Sequence, residues 1–153
     1  MSLEKERVNV KLMGLIGQVA SIVVASTLSF ASVAELVVEE GYVRNPIPGR
    51  SMSAAFMTVR NTGVEDFVVT SACLEGADSV EIHTHSHVDG VMRMRQLHEL
   101  TIKAGEAVTL EPGGMHLMVF GIKEFPENPE LNLCNAEKKC FSTRLSTQSL
   151  VSK

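Results

Sequence analysis

The sequence is poor in aromatic residues and lacks any cluster of basic ones. It contains no tryptophan and one tyrosine in 153 residues, and its eighteen acidic side chains outnumber the fourteen basic ones, for a net charge of −4. Surfaces that bind nucleic acids need positive charge, and single-stranded binding surfaces also need aromatic rings for base stacking. No Gly-rich phosphate loop or Gly-x-Ser-x-Gly nucleophile motif is present either. The composition therefore argues against a nucleic-acid partner and against these two enzyme classes.

Cysteine is also scarce, with three residues whose spacing does not match a zinc site: Cys73, Cys134 and Cys140. Five residues separate the last two, so a disulfide is possible if they face each other across a hairpin. The alternative is two unpaired thiols, because the separation of the Cα atoms decides and the sequence does not give it. Cys73 would be left over, and we expect it to be buried on a strand spanning Phe67–Cys73.

Charged residues are absent from one long segment, residues 12–34, which ends in the small-x-small pattern Ser32-Val33-Ala34. This pattern predicts that residues 1–34 are a secretory signal peptide and that residues 35–153 form the mature domain. An uncleaved membrane anchor is the main alternative, and an ordinary buried helix is another. No cysteine follows the apolar run, so a lipid anchor is not expected. The first two interpretations predict export to the periplasm, with membrane contact only through an uncleaved segment.

After residue 35 the pattern is one of short apolar or alternating runs separated by Gly, Pro and Asn turns. Seven such runs spaced about 8–16 residues apart predict an all-β domain, either an immunoglobulin-like β-sandwich or a barrel. No stretch in this part of the sequence has a convincing helical period. The predicted strands are Leu36–Val43, Ala54–Arg60, Phe67–Cys73, Val80–His85, Val91–Leu97, Ala107–Leu110 and Met115–Gly121.

Four residues within this β region, His83, Met94, His116 and Met118, form a set of soft and uncharged potential ligands. Thioethers favour Cu(I) and bind Mg²⁺, Ca²⁺ or Mn²⁺ poorly, while imidazole also suits copper. Taken singly, a strand methionine is usually core filler and a lone histidine is usually structural. The joint pattern of two histidines and two methionines instead predicts a single Cu(I) site.

The spacing of these residues gives the site a geometry. Residues two apart on a strand point to the same face, so His116 and Met118 would project together. Asp89-Gly90 lies between two strand-like runs, which is typical of a β-hairpin. We expect that hairpin to fold His83 back towards Met94.

The four residues also match the H-x10-M-x21-H-x-M motif of the periplasmic CuA chaperone family, PCuAC, which this sequence resembles over residues 36–124. The resemblance extends to Gly41-Tyr42-Val43-Arg44 and to the run from Ser53 to Gly63. It implies a cupredoxin-like β-domain that binds Cu(I) through His83, Met94, His116 and Met118. It also implies a role in supplying copper to the CuA centre of cytochrome c oxidase. The sequence after Lys123 departs from the family pattern, so the pairing of the final strands is left open.

Two further histidines, His85 and His87, alternate with His83 and would share its strand face. They could form a second, weaker site for Cu(II) or Zn²⁺. The alternative, which we favour from the sequence, is that they are solvated residues near an exposed hairpin tip. His98 lies away from the motif and is expected at the surface.

No nucleophile, general base or carboxylate pair accompanies the motif, so the sequence does not indicate an enzyme. The expected partners are the copper ion and a copper-accepting CuA domain or thiol-bearing copper protein. A copper storage or scavenging protein would show the same ligands. A cupin-like secreted metalloenzyme is a further alternative, based on His83-x-His85 and a later Pro-Gly-Gly…His, but its expected glutamate is absent and its spacing is off by one residue.

Overall fold

The strands of the protein follow the short apolar runs of the sequence closely. The computed structural model describes residues 36–149, except for the side chains of 87 and 88, and residues 1–34 with their predicted signal peptide or anchor lie outside this range. Within 36–149 there is no helix long and apolar enough to cross a membrane. The elements are β1 (Leu36–Arg44), β2 (Met52–Asn61), β3 (Phe67–Val69), β4 (Ser71–Leu74), β5 (Ser79–Val88), β6 (Val91–Leu97), β7 (Leu100–Ile102), β8 (Ala107–Leu110), β9 (His116–Phe120), β10 (Glu130–Cys134), β11 (Cys140–Arg144) and β12 (Ser146–Gln148).

Most of these strands belong to a single ten-stranded sheet, which confirms the predicted all-β class. Its main path runs in the order β11-β10-β4-β5-β9-β2-β1-β12, while β6 pairs with β5 and β8 pairs with β2. A separate two-stranded sheet consists of β3 and β7. The path places β5 and β9 at the centre of the large sheet, and these are the strands that carry the predicted histidines.

The alternating runs form strands because every second side chain is buried in the core. On β9, Leu117 and Val119 are buried and point away from His116 and Met118, as the period of two requires. One cluster of buried side chains contains residues of both sheets, including Ile82, Leu117 and Val119 from the large sheet and Ile102 from the small one. The inward face is therefore mainly apolar, with Asn61 as a buried polar exception, and the histidines of β5 and β9 and Met118 are left on the other face.

The predicted hairpin at Asp89-Gly90 is present and joins β5 to β6. Val88 pairs with Val91, so only Asp89 and Gly90 form the loop. Both have positive φ angles, 53° and 76°. Two consecutive positive φ angles are typical of the type I′ turn, which Asp-Gly accommodates and whose twist matches that of the flanking strands.

The part of the chain after Lys123 forms three strands that the sequence did not predict. β10 pairs with β4 and with β11, and β12 pairs in parallel with β1. Cys134 and Cys140 lie opposite each other in the β10–β11 hairpin and form a disulfide with a Cα–Cα distance of 4.0 Å. Of the two alternatives for these cysteines, the bridge is therefore the one that the structure shows.

Two expectations about residues 67–74 were wrong. The predicted single strand is divided at Thr70, because Phe67–Val69 pairs with β7 whereas Ser71–Leu74 pairs with β10. Cys73 is exposed rather than buried. Its neighbours Ala72 and Leu74 are the residues that point into the core, so alternation along β4 turns the thiol outward.

Candidate metal centre

The four predicted ligands lie on three adjacent strands, in the order β6, β5 and β9. His83 on β5 is directly opposite His116 on β9, and Met118 is opposite Glu81, two residues before His83. Opposed residues of an antiparallel pair share a face, as do residues two apart on one strand. Met94 on β6 points to this same face, because its partner is His85. The structure thus brings all four side chains to the face of the sheet opposite the apolar core.

The hairpin folds His83 back towards Met94, as expected. Met94 lies opposite His85, and His83 lies opposite Gln96, so His83 takes a position diagonal to Met94. The preference for His85 as a solvated loop residue near the hairpin tip was wrong, since it lies within β5 and is half-buried. A two-residue loop fixes every pair of a hairpin by counting outward from it. That count, from Val88 and Val91, was the available signal for the position of His85 opposite Met94.

His116 is the most buried of the four residues, with 4% of its surface exposed. Its Nδ1 lies 3.1 Å from the carbonyl oxygen of Gly114, and a carbonyl can only accept. Nδ1 therefore carries the proton, and Nε2 keeps a lone pair that can bind a metal. Burial lowers the pKa of His116 below its usual 6.5, the hydrogen bond to Gly114 raises it, and the nearby His85 and His83 lower it further. The net effect keeps the ring in the neutral form that metal binding requires.

His83 presents the opposite nitrogen. Its Nε2 lies 2.8 Å from Oε2 of Glu81, and an ionised carboxylate can only accept, so Nε2–H donates. Nδ1 then has the lone pair, and this atom is buried without a hydrogen-bond partner. A buried polar atom without a partner is energetically unfavourable, which makes it a natural position for a ligand. A carboxylate bonded to the far nitrogen of a histidine is a common way to orient metal ligands.

The two methionines differ in their accessibility. Met94 is 49% exposed, whereas Met118 is half-buried between β5 and β2. Both line a cavity of about 240 Å³, together with Arg44, Ala54, Phe56, His85, Pro112, Gly113 and His116. His83 does not line it, although its ring lies 6.0 Å from that of His116. The cavity thus holds three of the four predicted ligands and one histidine that the motif does not include.

The wall of the cavity beyond Met118 is aromatic and positively charged. Phe56 on β2 lies 6.3 Å from the ring of His116, and the guanidinium of Arg44 on β1 lies 4.8 Å above the ring of Phe56. Such a cation–π contact holds the arginine over the aromatic face. The sequence did not indicate this contact, because it depends on β1, β2 and β9 being neighbours in the sheet.

Within the described residues, no three His, Cys, Asp or Glu side chains converge, as they stand, on a point that could hold a metal. Any site on this face therefore depends on the sulfur atoms or on movement of the rings. A larger cleft of about 480 Å³ lies next to Tyr42 and Thr109 and contains none of the predicted ligands. His98, Met52 and Met92 are exposed, and Met57 belongs to the core. The side chain of His87 lies outside the described part of the structure.

Comparison with known proteins places this chain in a family. The family model described as "Putative lipoprotein LpqE-like" matches residues 36–130. The chain belongs to the LpqE-like family. A relative from Leifsonia xyli subsp. xyli (strain CTCB07), "Putative lipoprotein Lxx21020", is 36% identical over 76 residues, which are 49% of this chain and 46% of that protein. The LpqE-like chain thus spans about half the length of this curated relative. The lipoprotein description is the one given to those proteins.

The LpqE-like chain also shares its fold with solved PCuAC domains. The copper-bound PCuAC domain from PmoF2 superposes with a TM-score of 0.60 at 16% identity, covering 76% of this chain and 96% of that one. The solution structure of CuI-DR1885 from Deinococcus radiodurans gives a TM-score of 0.55 at 22% identity, covering 79% and 80%. At these identities the likeness establishes the fold, and it confirms the sequence resemblance to PCuAC at that level.

Proposed function

We propose that this protein is an exported metallochaperone that binds one Cu(I) ion through His83, Met94, His116 and Met118. The observation that carries the proposal is that four residues from three strands lie on one sheet face, where the buried Nδ1 of His83 has no partner. The copper-bound PCuAC domain of similar fold supports it.

The chemistry of the four ligands favours Cu(I) over other metals. Two thioethers and two neutral imidazoles suit a soft monovalent ion and offer no charged oxygen to Mg²⁺, Ca²⁺ or Mn²⁺. Because the ligands are neutral, the bound ion keeps its own single charge. The carboxylate of Glu81, two residues from His83 on the same strand, accepts a hydrogen bond from His83 and so orients the ring.

The accessibility of the site favours delivery over storage. Met94 lies half-exposed on β6, so an approaching acceptor could reach the copper from that side. Neutral ligands can release Cu(I) to a negatively charged thiolate without a large electrostatic cost. We propose an acceptor that carries cysteine thiolates, and specifically the CuA domain of cytochrome c oxidase. Export to the periplasm, through residues 1–34, is part of the same proposal.

The direct test is copper transfer. The Cu(I)-loaded protein would be mixed with excess apo CuA domain, separated from it, and both proteins analysed for copper. We expect most of the copper on the acceptor. Copper that stays on this protein would instead favour storage or scavenging, and turnover of a substrate by the loaded protein would favour the cupin-like enzyme. N-terminal sequencing of the exported protein would test cleavage after Ala34.

A further inference from the structure

One histidine in the cavity has no part in the four-residue motif. His85 lies directly opposite Met94, and its ring is 5.2 Å from the ring of His116, which is closer than the 6.0 Å between His83 and His116. It lines the cavity together with Met94, His116 and Met118. Its Nδ1 is buried without a hydrogen-bond partner, as is that of His83. Two orphaned ring nitrogens therefore lie beside the neutral ring of His116.

We propose that the sheet face around this cavity also binds Cu(II), through His85 and His116, which line the cavity, and through His83, which lies beside it. The two ligand sets overlap, since His83 and His116 belong to both, so this face holds one copper ion at a time in either oxidation state. This inference rests on the proposed function because it uses the same cavity. It differs from a separate second site at the hairpin tip, which the sequence had suggested for His85 and His87.

Ligand chemistry supports two overlapping sets. Cu(II) prefers nitrogen ligands in a tetragonal arrangement, whereas thioethers favour Cu(I). A Cu(II) ion bound here would therefore be held better by nitrogen than by sulfur. His85 is the residue placed to provide that nitrogen, because it is the cross-strand partner of Met94.

The distances require the histidine rings to move closer together before they can bind one metal ion. Metal–nitrogen bonds of about 2 Å place two imidazole centroids roughly 4.5 Å apart when the bonds are near a right angle. The present centroid distances from His116, 5.2 Å to His85 and 6.0 Å to His83, are larger. Both partner rings must therefore turn towards His116, which agrees with the absence of a converged three-histidine site in the described residues. The carboxylate of Glu81, bonded to His83, would partly offset the second positive charge of Cu(II).

The test compares His85→Gln with His98→Gln. His98 is an exposed histidine that does not line the cavity, so it is the matched control. Each protein would be titrated with Cu(II) and with Cu(I), and the Cu(II) form examined by electron paramagnetic resonance. We expect wild type to bind one Cu(II) with three nitrogen couplings. His85→Gln should lose one coupling and bind Cu(II) about tenfold more weakly or worse, the minimum effect expected for a lost ligand. Its Cu(I) affinity should stay within about threefold of wild type, because thioethers and two imidazoles remain.

A reciprocal variant keeps the test informative if His85→Gln is unstable. Met94→Leu/Met118→Leu should lose Cu(I) affinity yet keep Cu(II) affinity and its three nitrogen couplings. Unchanged Cu(II) binding by His85→Gln would overturn the inference, and so would simultaneous binding of one Cu(I) and one Cu(II) by wild type. Failure of the proposed function has a different signature, namely wild-type protein that does not bind Cu(I) at all.

Discussion

The two hairpins β5–β6 and β10–β11 are built alike but stabilised differently. The β5–β6 hairpin closes through the two-residue Asp89-Gly90 turn and is held by backbone pairing. The β10–β11 hairpin is closed by the Cys134–Cys140 disulfide. In its turn, the side-chain oxygen of Asn135 accepts hydrogen bonds from the backbone N–H groups of Glu137 and Lys139.

The hairpins also differ in whether they contain buried polar atoms without a hydrogen-bond partner. On β5, buried ring nitrogens of His83 and His85 have no partner, and on β6 Met94 is half-exposed. A polar atom left unpaired in the interior costs stability unless a ligand completes it. The β5–β6 hairpin thus carries the destabilising features expected of a binding site, while the covalent cross-link is placed in the hairpin that carries no predicted ligand.

The largest effect should come from removing both sulfur atoms of the proposed site, Met94 on the β5–β6 hairpin and Met118 on the adjacent β9. Met94→Leu/Met118→Leu keeps nearly the same side-chain volume, so the fold should survive. Cu(I) affinity should fall by more than roughly 100-fold. Loss of a residue that only orients a metal ligand weakens binding by up to about that factor, and loss of two ligands should cost more. Competition with a calibrated Cu(I) chelator measures this. Met52→Leu, at an exposed position outside the cavity, is the control, and wild-type affinity in the double variant would refute the site.

The next effect concerns the β10–β11 hairpin and should appear only in stability. Cys134→Ser/Cys140→Ser removes a short cross-link, whose loss should lower the free energy of unfolding by about 2 kcal/mol. Denaturant unfolding measures the change. Cu(I) affinity should be unaffected, because the disulfide contacts none of the ligands. Cys73→Ser leaves the bridge intact and should change little, and a parallel loss of copper binding in the double variant would show that the two hairpins are coupled.

Acidification should affect the metal site and not the β10–β11 hairpin, because the histidine ligands lie on β5 and on the adjacent β9. The pKa of His116 is lowered from 6.5 by burial, so both folded and unfolded states are neutral at pH 7. As pH falls below about 6.5 the unfolded chain takes up its proton first, so the stability of the metal-free protein falls until the lowered pKa is reached and then levels off. Cu(I) affinity should decline roughly tenfold per pH unit once the ring titrates. An affinity that stays flat from pH 7 to about pH 5 would rule out imidazole ligands.

The smallest effect should come from the two turns. Gly90 has a φ of 76°, where a Cβ is strained, so Gly90→Ala should destabilise the protein by about 1 kcal/mol. Cu(I) affinity should also weaken slightly, because the turn sets the position of Met94. Lys138, in the β10–β11 turn, already has a φ of 63°. Lys138→Gly would relieve the backbone strain of the folded state but would increase the conformational entropy of the unfolded chain. Because these effects oppose each other, stability should change by less than about 0.5 kcal/mol. Thermal unfolding of both variants measures the contrast, which equal losses of stability would contradict.

Local signals in the sequence were sufficient for the strands and the hairpin around the site. The alternation of β9 and the Asp89-Gly90 turn both depend on residues close in sequence, and both were predicted. The pairing register of the β5–β6 hairpin also depends on residues close in sequence. Counting outward from the turn would have placed His85 opposite Met94. The resemblance to PCuAC domains was needed for the ligand set, and the structure adds that these residues share one face.

The remaining features depend on which strands become neighbours. The division at Thr70 could not be predicted, because the alternation continues through it and only pairing with β7 or β10 separates the halves. The strands after Lys123 are short and carry few strong signals, and their order in the sheet is set by contacts with β4 and β1. The position of Arg44 over Phe56 likewise follows from long-range strand order.

Strand β6 pairs with β5 alone in the described structure, so its outer edge presents free backbone hydrogen-bonding groups next to exposed Met92 and Met94. An edge of this kind invites pairing with the same edge of another molecule and thus aggregation. Arg93 and Arg95 alternate with these methionines and are exposed. If two β6 strands met antiparallel, the arginines of both molecules would be brought together and would repel each other. The same strand thereby offers its sulfur atoms to solvent while its charges oppose self-association.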